Sequence, residues 1–226
     1  MTPRRLAVVF GAGGGIGGAL VQALRQDPGF DEVVALRRPD FDLTEEASIA
    51  AAARALPPGE PRLLLDATGF LHAPGQRPER GLRDLDAAAL ARNFALNAIG
   101  PALLMKHFLP LLPRQGRAVF ATLSARVGSI GDNRLGGWYG YRAAKAALNQ
   151  LVHTAAIELA RTHPQAVCVA LHPGTVATPL SAPFAKAGLA VRPPAEAAAE
   201  LLAVVAGLDA AETGGFFDWR GQVIPW

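Results

Sequence analysis

A single cysteine, Cys168, is all the thiol this 226-residue chain carries. No disulfide can close within it, and its place inside the apolar run AVCVAL marks a buried, inert thiol. Such cysteine usage is expected of a reducing cytoplasm. Metal-ligand spacing is missing too. His72, His107, His153, His163 and His172 stand well apart, with no HExxH pattern and no second cysteine, so no metal site is expected. Charged residues make up only 18% of the chain, and no stretch is polar and charged enough for a disordered tail. The net charge is +3, with arginines scattered apart from Arg4-Arg5 and Arg37-Arg38, which argues against a nucleic-acid face. No apolar run reaches membrane-spanning length without a charge or a glycine cluster, so no membrane partner is expected. The N-terminal stretch lacks the charged, apolar and cleavage regions that mark a signal peptide in that order. A soluble chain is expected.

What is present is apolar and alternating. Half of the residues are hydrophobic, enough to build one large α/β domain or two small ones. Strands are expected over Leu6–Phe10, Glu32–Leu36, Arg62–Asp66, Ala118–Leu123, Ala166–Leu171 and Gly215–Trp219. Between them fall helices over Ile16–Leu24, Thr44–Leu56 with Thr44 as N-cap, and Ala87–Leu112 bent at Gly100-Pro101. Two more are expected over Trp138–Arg161 and Ala195–Val205, and residues 70–86 read as an irregular loop. Such alternation argues for a parallel sheet covered on both faces, with the ligand crevice at the carboxyl ends of its strands. No linker-like shift in composition and no internal repeat divides the chain, so residues 1–226 are taken as one domain.

The first strand runs into Gly11-Ala12-Gly13-Gly14-Gly15-Ile16-Gly17, which leads directly into a helix. Glycines let the backbone turn sharply and lie against a ligand, and the helix amides then face a phosphate. A bare β-α turn is the alternative; the placement between strand and helix favours a dinucleotide. No Lys followed by Ser or Thr comes after it, which argues against a triphosphate P-loop. The second strand ends in Leu36-Arg37-Arg38, with arginines where an NAD site usually places a carboxylate. The pair therefore favours NADP(H) over NAD(H).

Tyr141 and Lys145 lie four residues apart in a segment with an Ala-rich helical continuation, which stacks them on one face. An ammonium beside a phenol favours the phenolate, so the pair suits proton transfer. Tyr and Lys at this spacing also occur on solvated helix faces.

Together these residues resemble the short-chain dehydrogenase/reductase family in its single-domain form, nearly end to end. Gly11, Gly15 and Gly17 match the family's Thr-Gly-x-x-x-Gly-x-Gly turn, with Phe10 where Thr is usual. Asp42 and Leu43 match the pair that follows the family's third strand and holds the adenine. Asp66-Ala67-Thr68-Gly69 occupies the place of Asn-Asn-Ala-Gly, with only Gly69 retained. Asn97 matches the helix asparagine of a water-linked proton relay, and Ser124, Tyr141 and Lys145 match the catalytic group. Pro173, Gly174, Thr175, Val176 and Thr178 match the turn bordering the nicotinamide. The run SARVGSIGDNRLGGWYGYRAAKAALN is similar to the branch that includes small carbonyl reductases and the bacterial C-factor signalling protein. In that branch the serine commonly lies three residues before the glycine seen here as Gly128, which is Ala125. Ser124 serves if the strand end carries an extra residue, and Ser129 is the alternative.

The resemblance implies a Rossmann-type doubly wound sheet of about seven strands. It also implies hydride transfer between NADP(H) and an aldehyde or ketone. In that scheme Tyr141 donates the proton, Ser124 hydrogen-bonds the same oxygen, Lys145 lowers the Tyr141 pKa and holds the ribose, and Asn97 links Lys145 to solvent. Leu71, Val127, Trp138, Leu180 and Phe184 suggest an apolar lining for a small-molecule carbonyl substrate, with Arg126 and Arg134 as polar contacts. Trp138 and Phe184 serve equally well as core or interface residues. The long helices from Ala87 and Trp138 are the family's usual pairing surfaces, which implies a homo-oligomer, a dimer or tetramer. A cofactor-binding regulatory or signalling protein with little turnover is the competing expectation.

Overall fold

The computed structural model describes residues 3–184 and 190–226. Six strands, β1 (Arg5–Phe10), β2 (Glu32–Leu36), β3 (Glu60–Asp66), β4 (Ala118–Leu123), β5 (Ala166–His172) and β6 (Phe216–Asp218), form one sheet in the order β2-β1-β3-β4-β5-β6. Every pairing in it is parallel. The strands read as continuous apolar runs because both faces are covered. Val8, Phe10, Leu64 and Phe120 pack on one side with Phe108, Leu148 and Val152. Ala7, Val9, Leu63, Leu65 and Val169 pack on the other with Leu20, Leu24 and Leu201. Each fully buried Leu or Phe contributes about 1.5–3 kcal/mol, so the paired faces supply the main driving force. Cys168 lies inside this core, where burial pushes its thiol up to about 12. The thiol is protonated and inert.

Among the described residues six α-helices flank the sheet: α1 (Gly15–Leu24), α2 (Glu46–Arg54), α3 (Ala87–Phe94), α4 (Gly100–Phe108), α5 (Tyr139–Ala160) and α6 (Pro194–Gly207). The chain reverses its direction of travel across the sheet between β1 and β3, and such switch points open the ligand crevice of doubly wound folds.

Three local expectations change. The sheet has six strands rather than about seven, because the segment ahead of Asp42-Leu43 turns instead of pairing: the amides of Asp40 and Phe41 both donate to Arg37 O. Phe41 packs edge-on against Phe10. Helix α2 starts at Glu46 with Glu45 as its N-cap, because Thr44 is held by the Asp42 carboxylate through both its amide and its hydroxyl. The long helix is interrupted not at Gly100-Pro101 but just before it, by a π turn over Ala95–Ile99. Pro101 falls in the first turn of α4, directly after the π turn. By length and hydropathy the run Ala87–Leu111 is apolar enough to span a membrane, yet Leu104 and Phe108 within it are fully buried in the core.

Candidate active site

The glycine turn is built for close approach. Gly11 has φ +75, and a Cβ there would lie 2.9 Å from the Ala67 carbonyl carbon. A Cβ on Gly17 would run into the Gly11 carbonyl, and one on Gly15 would meet Thr178 Cγ2 at 2.8 Å. Three segments therefore converge: the β1–α1 turn, the end of β3 at Ala67-Thr68, and the Pro173–Thr178 turn. Gly14 caps α1 without any side chain, so the first amides of the helix are left for a ligand. Arg37 lies against Gly13, its Cβ 3.6 Å from where a Cβ there would stand. It lines a cleft of about 420 Å³ together with Ala12, Gly18, Gln22, Arg25 and Asp40. Arg38 is not part of that wall. Arg25, at the C-terminal cap of α1, has no marker in the sequence; it lies seven residues after Gly18, which returns it to the same helix face. Asp42 is exposed, and its bonds from Thr44, with Arg38 nearby, hold its carboxyl below the usual range. Leu43 is buried against Gly100, where any Cβ would collide with it.

The 173–178 turn has a buttress. Gly174 takes φ +72, and the Arg192 guanidinium donates to Pro173 O from the space a Cβ would fill. Arg192 is paired with Glu200 and lies 3.7 Å over the Trp219 ring. His172, just before the turn, has a buried Nδ1 with no partner among the described residues, and burial pushes its pKa down to about 4.

At the ends of β3 and β4 sits a buried polar cluster. Asp66 accepts bonds from the Thr68 amide (2.9 Å) and hydroxyl (2.5 Å) and from the Thr122 hydroxyl (2.7 Å). Burial raises its carboxyl pKa. Lys145, 2% exposed, donates from Nζ to Leu123 O at 2.8 Å. Burial lowers its pKa to about 8, against the opposing pull of Asp66. Asn97 lies in the π turn and staples the loop after Gly69: its Oδ1 accepts from Phe70 N at 2.9 Å and its Nδ2 donates to Phe70 O at 2.8 Å. Its Nδ2 also donates to Asn93 Oδ1 at 3.4 Å.

Tyr141 and Lys145 both project from α5 into the crevice, with Nζ 5.9 Å from the centroid of the phenol ring. The direction of the Tyr141 pKa is opposite to expectation. Burial pushes it up to about 12, and the lysine charge does not offset that desolvation.

No hydrogen bond joins Ser124 to Tyr141 among the described residues. The register of β4 against β5 runs from Ala118↔Ala166 to Leu123↔Leu171 without a shift, so no extra residue rotates the strand end. Ser124 is buried and its hydroxyl donates to Asn149 Oδ1 at 2.6 Å. Asn149 lies eight residues after Tyr141, about 12 Å along the helix axis. Ser129 is buried as well, and its hydroxyl accepts the Asp132 amide at 3.0 Å.

Opposite the phenol, Gly136, Gly137 and Trp138 are all left-handed, at φ 64, 65 and 53. For a tryptophan this conformation costs about 1–2 kcal/mol. Arg142 holds the loop, donating to the carbonyls of Val127, Gly136 and Gly137. Buried Glu79 accepts the amides of Trp138 and Gly140, the first through its backbone and the second through its carboxylate. Sequence reasoning missed Glu79, Arg142 and Arg192, because nothing in their local context announces a distant backbone partner. Of the expected pocket loop 177–192, residues 185–189 lie outside the described residues. No group of three or more His, Cys, Asp or Glu that fits a metal ion occurs among the described residues.

A glycine cradle at the switch point of a parallel sheet, with a buried Tyr-Lys pair beside it, defines a dinucleotide-binding α/β protein. A family profile described as enoyl-(acyl carrier protein) reductase matches residues 12–213. The chain belongs to the short-chain dehydrogenase/reductase family, and it is an oxidoreductase of that family. It is 37% identical to the C-signal protein of Myxococcus xanthus over 146 residues, 64% of this chain and 83% of that one. It is 31% identical over 188 residues to 1-hydroxy-2-glutathionyl-2-methyl-3-butene dehydrogenase of Rhodococcus sp. strain AD45, covering 83% and 79% of the two chains. Its fold is similar to that of NADPH-bound carbonyl reductase from chicken fatty liver, with TM-score 0.86, 26% identity and coverage of 100% and 95%.

Proposed function

We propose that this protein interconverts a small carbonyl compound and its alcohol with NADP(H), Tyr141 serving as the proton donor and acceptor. The observation that carries the reading is the buried Tyr141–Lys145 pair, anchored at Leu123 O, in the crevice that the glycine turn enters. The residues fit a dinucleotide. The cradle at Gly11, Gly15 and Gly17 has no room for side chains, and the uncapped start of α1 suits the pyrophosphate. Arg25 and Arg37 favour a 2′-phosphate in their cleft, two cations against the single carboxylate of Asp40. Thr178, Val176 and the Pro173-Gly174 turn would border the nicotinamide, and Lys145 its ribose. The bound cofactor supplies the hydride.

The chain's own residues supply the proton. Tyr141 O–H donates to the oxygen as negative charge develops on it. Lys145 stabilises the resulting phenolate by its charge, and Leu123 O fixes the direction of its ammonium. Asn97 supports the site by fixing the loop after Gly69 and the π turn. Proton exchange with solvent by way of the π turn belongs to the same proposal. So do a cytoplasmic location and pairing of copies through the long helices, where Ile99 of the π turn and Ile157 of α5 are exposed.

The test is NADPH and NADH binding by fluorescence, followed by NADPH oxidation against a panel of aldehydes and ketones. The reading expects tighter NADPH binding and turnover of at least one carbonyl. Tight binding without turnover supports the second reading, a cofactor-binding signalling protein, which is favoured by the diversion of Ser124 to Asn149. Failure to bind either cofactor defeats both.

A further inference from the structure

Three rings form a chain beside the phenol. Trp138 meets Tyr141 edge-on at 6.2 Å between centroids and 67° between planes. On its other side it meets Phe184 at 5.2 Å and 65°. Phe184 in turn meets His72 at 5.5 Å and 66°, and His72 Nε2 is fixed at 3.2 Å from Pro179 O. These rings come from three separate segments, and Trp138 is the link that joins the phenol to the rest.

The backbone at Trp138 is held where tryptophan rarely goes. Two glycines precede it in left-handed conformations, and a third glycine would fit the turn without strain. The chain places its bulkiest side chain there instead. The position is also over-determined: the Trp138 amide donates to Glu79 O at 2.6 Å, the Gly140 amide to Glu79 Oε2 at 3.1 Å, and the Arg142 amide to Trp138 O at 2.8 Å. Arg142 Nε further ties Gly137 O at 2.9 Å. Strain held this firmly beside a reactive group points to a ring whose position matters to a ligand. Core packing does not account for it, since Trp138 is only half-buried.

From this arrangement, and resting on the carbonyl reading above, we infer that Trp138 is a specificity residue that selects substrates whose carbonyl is carried on an aromatic ring. Edge-to-face arrangements leave ring faces and edges available for a further ring to continue the pattern, and such pairs gain energy beyond the area they bury. A flat substrate ring set against Trp138 would lie beside the Tyr141 phenol, whose ring Trp138 meets edge-on. The chemistry is that of the parent reading: hydride passes from NADPH to the carbonyl carbon, Tyr141 gives its proton to the oxygen, and NADP⁺ leaves. A saturated ring of the same size fills the space without the ring-edge attraction.

The experiment compares benzaldehyde with cyclohexanecarbaldehyde as kcat/KM ratios at saturating NADPH. Wild type, Trp138→Phe and Trp138→Gly are the proteins, the glycine variant chosen because it suits the left-handed backbone; NADPH binding confirms that each is folded. The wild type is expected to prefer benzaldehyde. Trp138→Gly is expected to lose roughly three- to tenfold more on benzaldehyde than on the saturated aldehyde, mainly in KM, with Trp138→Phe in between. An equal loss on both aldehydes, or an unchanged ratio, assigns Trp138 to structure alone and overturns the inference. A wild-type protein that binds NADPH yet reduces neither aldehyde, nor any other carbonyl, defeats the parent reading, and the inference falls with it.

Discussion

The hydroxyl of Ser124 donates to Oδ1 of Asn149 at 2.6 Å, on the far side of Lys145 from Tyr141 along α5. The residue three before Gly128, where the branch usually carries its serine, is Ala125. Ser124→Ala is therefore expected to lower stability by about 1 kcal/mol through the lost bond, while turnover changes by less than about tenfold. Ala125→Ser is expected to raise kcat on the carbonyl by supplying a second donor to its oxygen. Thermal unfolding and steady-state rates check the pair. A hundredfold loss of kcat in Ser124→Ala with stability intact would return that residue to the catalytic group.

Asp66 supplies the prediction for pH. Lys145 titrates at about 8 in the fold, lowered by burial and held up in part by Asp66. The proposed reaction needs the ammonium, so its rate falls as pH rises through that value. Asp66→Asn removes the supporting charge, Lys145 gives up its proton at lower pH, and the falling limb of kcat/KM moves to more acid values. Asparagine still offers one oxygen to Thr68. A limb that stays in place would show that Asp66 serves only the bonds from Thr68 and Thr122.

The cofactor cleft yields a separation of two arginines that adjoin in sequence. Arg37 lines the cleft with Arg25, whereas Arg38 does not. Arg37→Ala and Arg25→Ala are each expected to weaken NADPH binding about tenfold or more and to leave NADH binding within about twofold. Arg38→Ala is expected to change neither strongly. Fluorescence titration of both cofactors decides it, and equal losses for NADPH and NADH would remove the 2′-phosphate assignment.

The sheet was readable because burial on both faces leaves a simple record. Leu6–Phe10 and Ala166–Leu171 are continuous apolar runs wherever they are met. The glycine turn was readable for a related reason, since Gly11 and Gly17 answer to backbone collisions that only glycine avoids. What stayed hidden depends on partners far along the chain. Phe41 looks strand-forming, but its amide turns back to Arg37 O and its ring goes to Phe10. Asn97 carries no mark of a π turn, and Glu79 gives no sign that it will hold the start of α5 sixty residues later. The Asn149 partner of Ser124 was hidden as well, since a one-residue step along a strand reverses the face and the sequence does not name the partner on it.

One substitution reaches the proposed proton transfer at Tyr141 directly. Tyr141→Phe removes a hydroxyl that has no hydrogen-bond partner among the described residues, while keeping the ring against Trp138. The measurement is the rate of NADPH oxidation at neutral pH with a carbonyl that the wild type reduces, alongside NADPH affinity. Affinity is expected to stay within about twofold and the rate to fall by about a hundredfold or more if Tyr141 moves the proton. A Tyr141→Phe protein that kept the full rate would contradict that role.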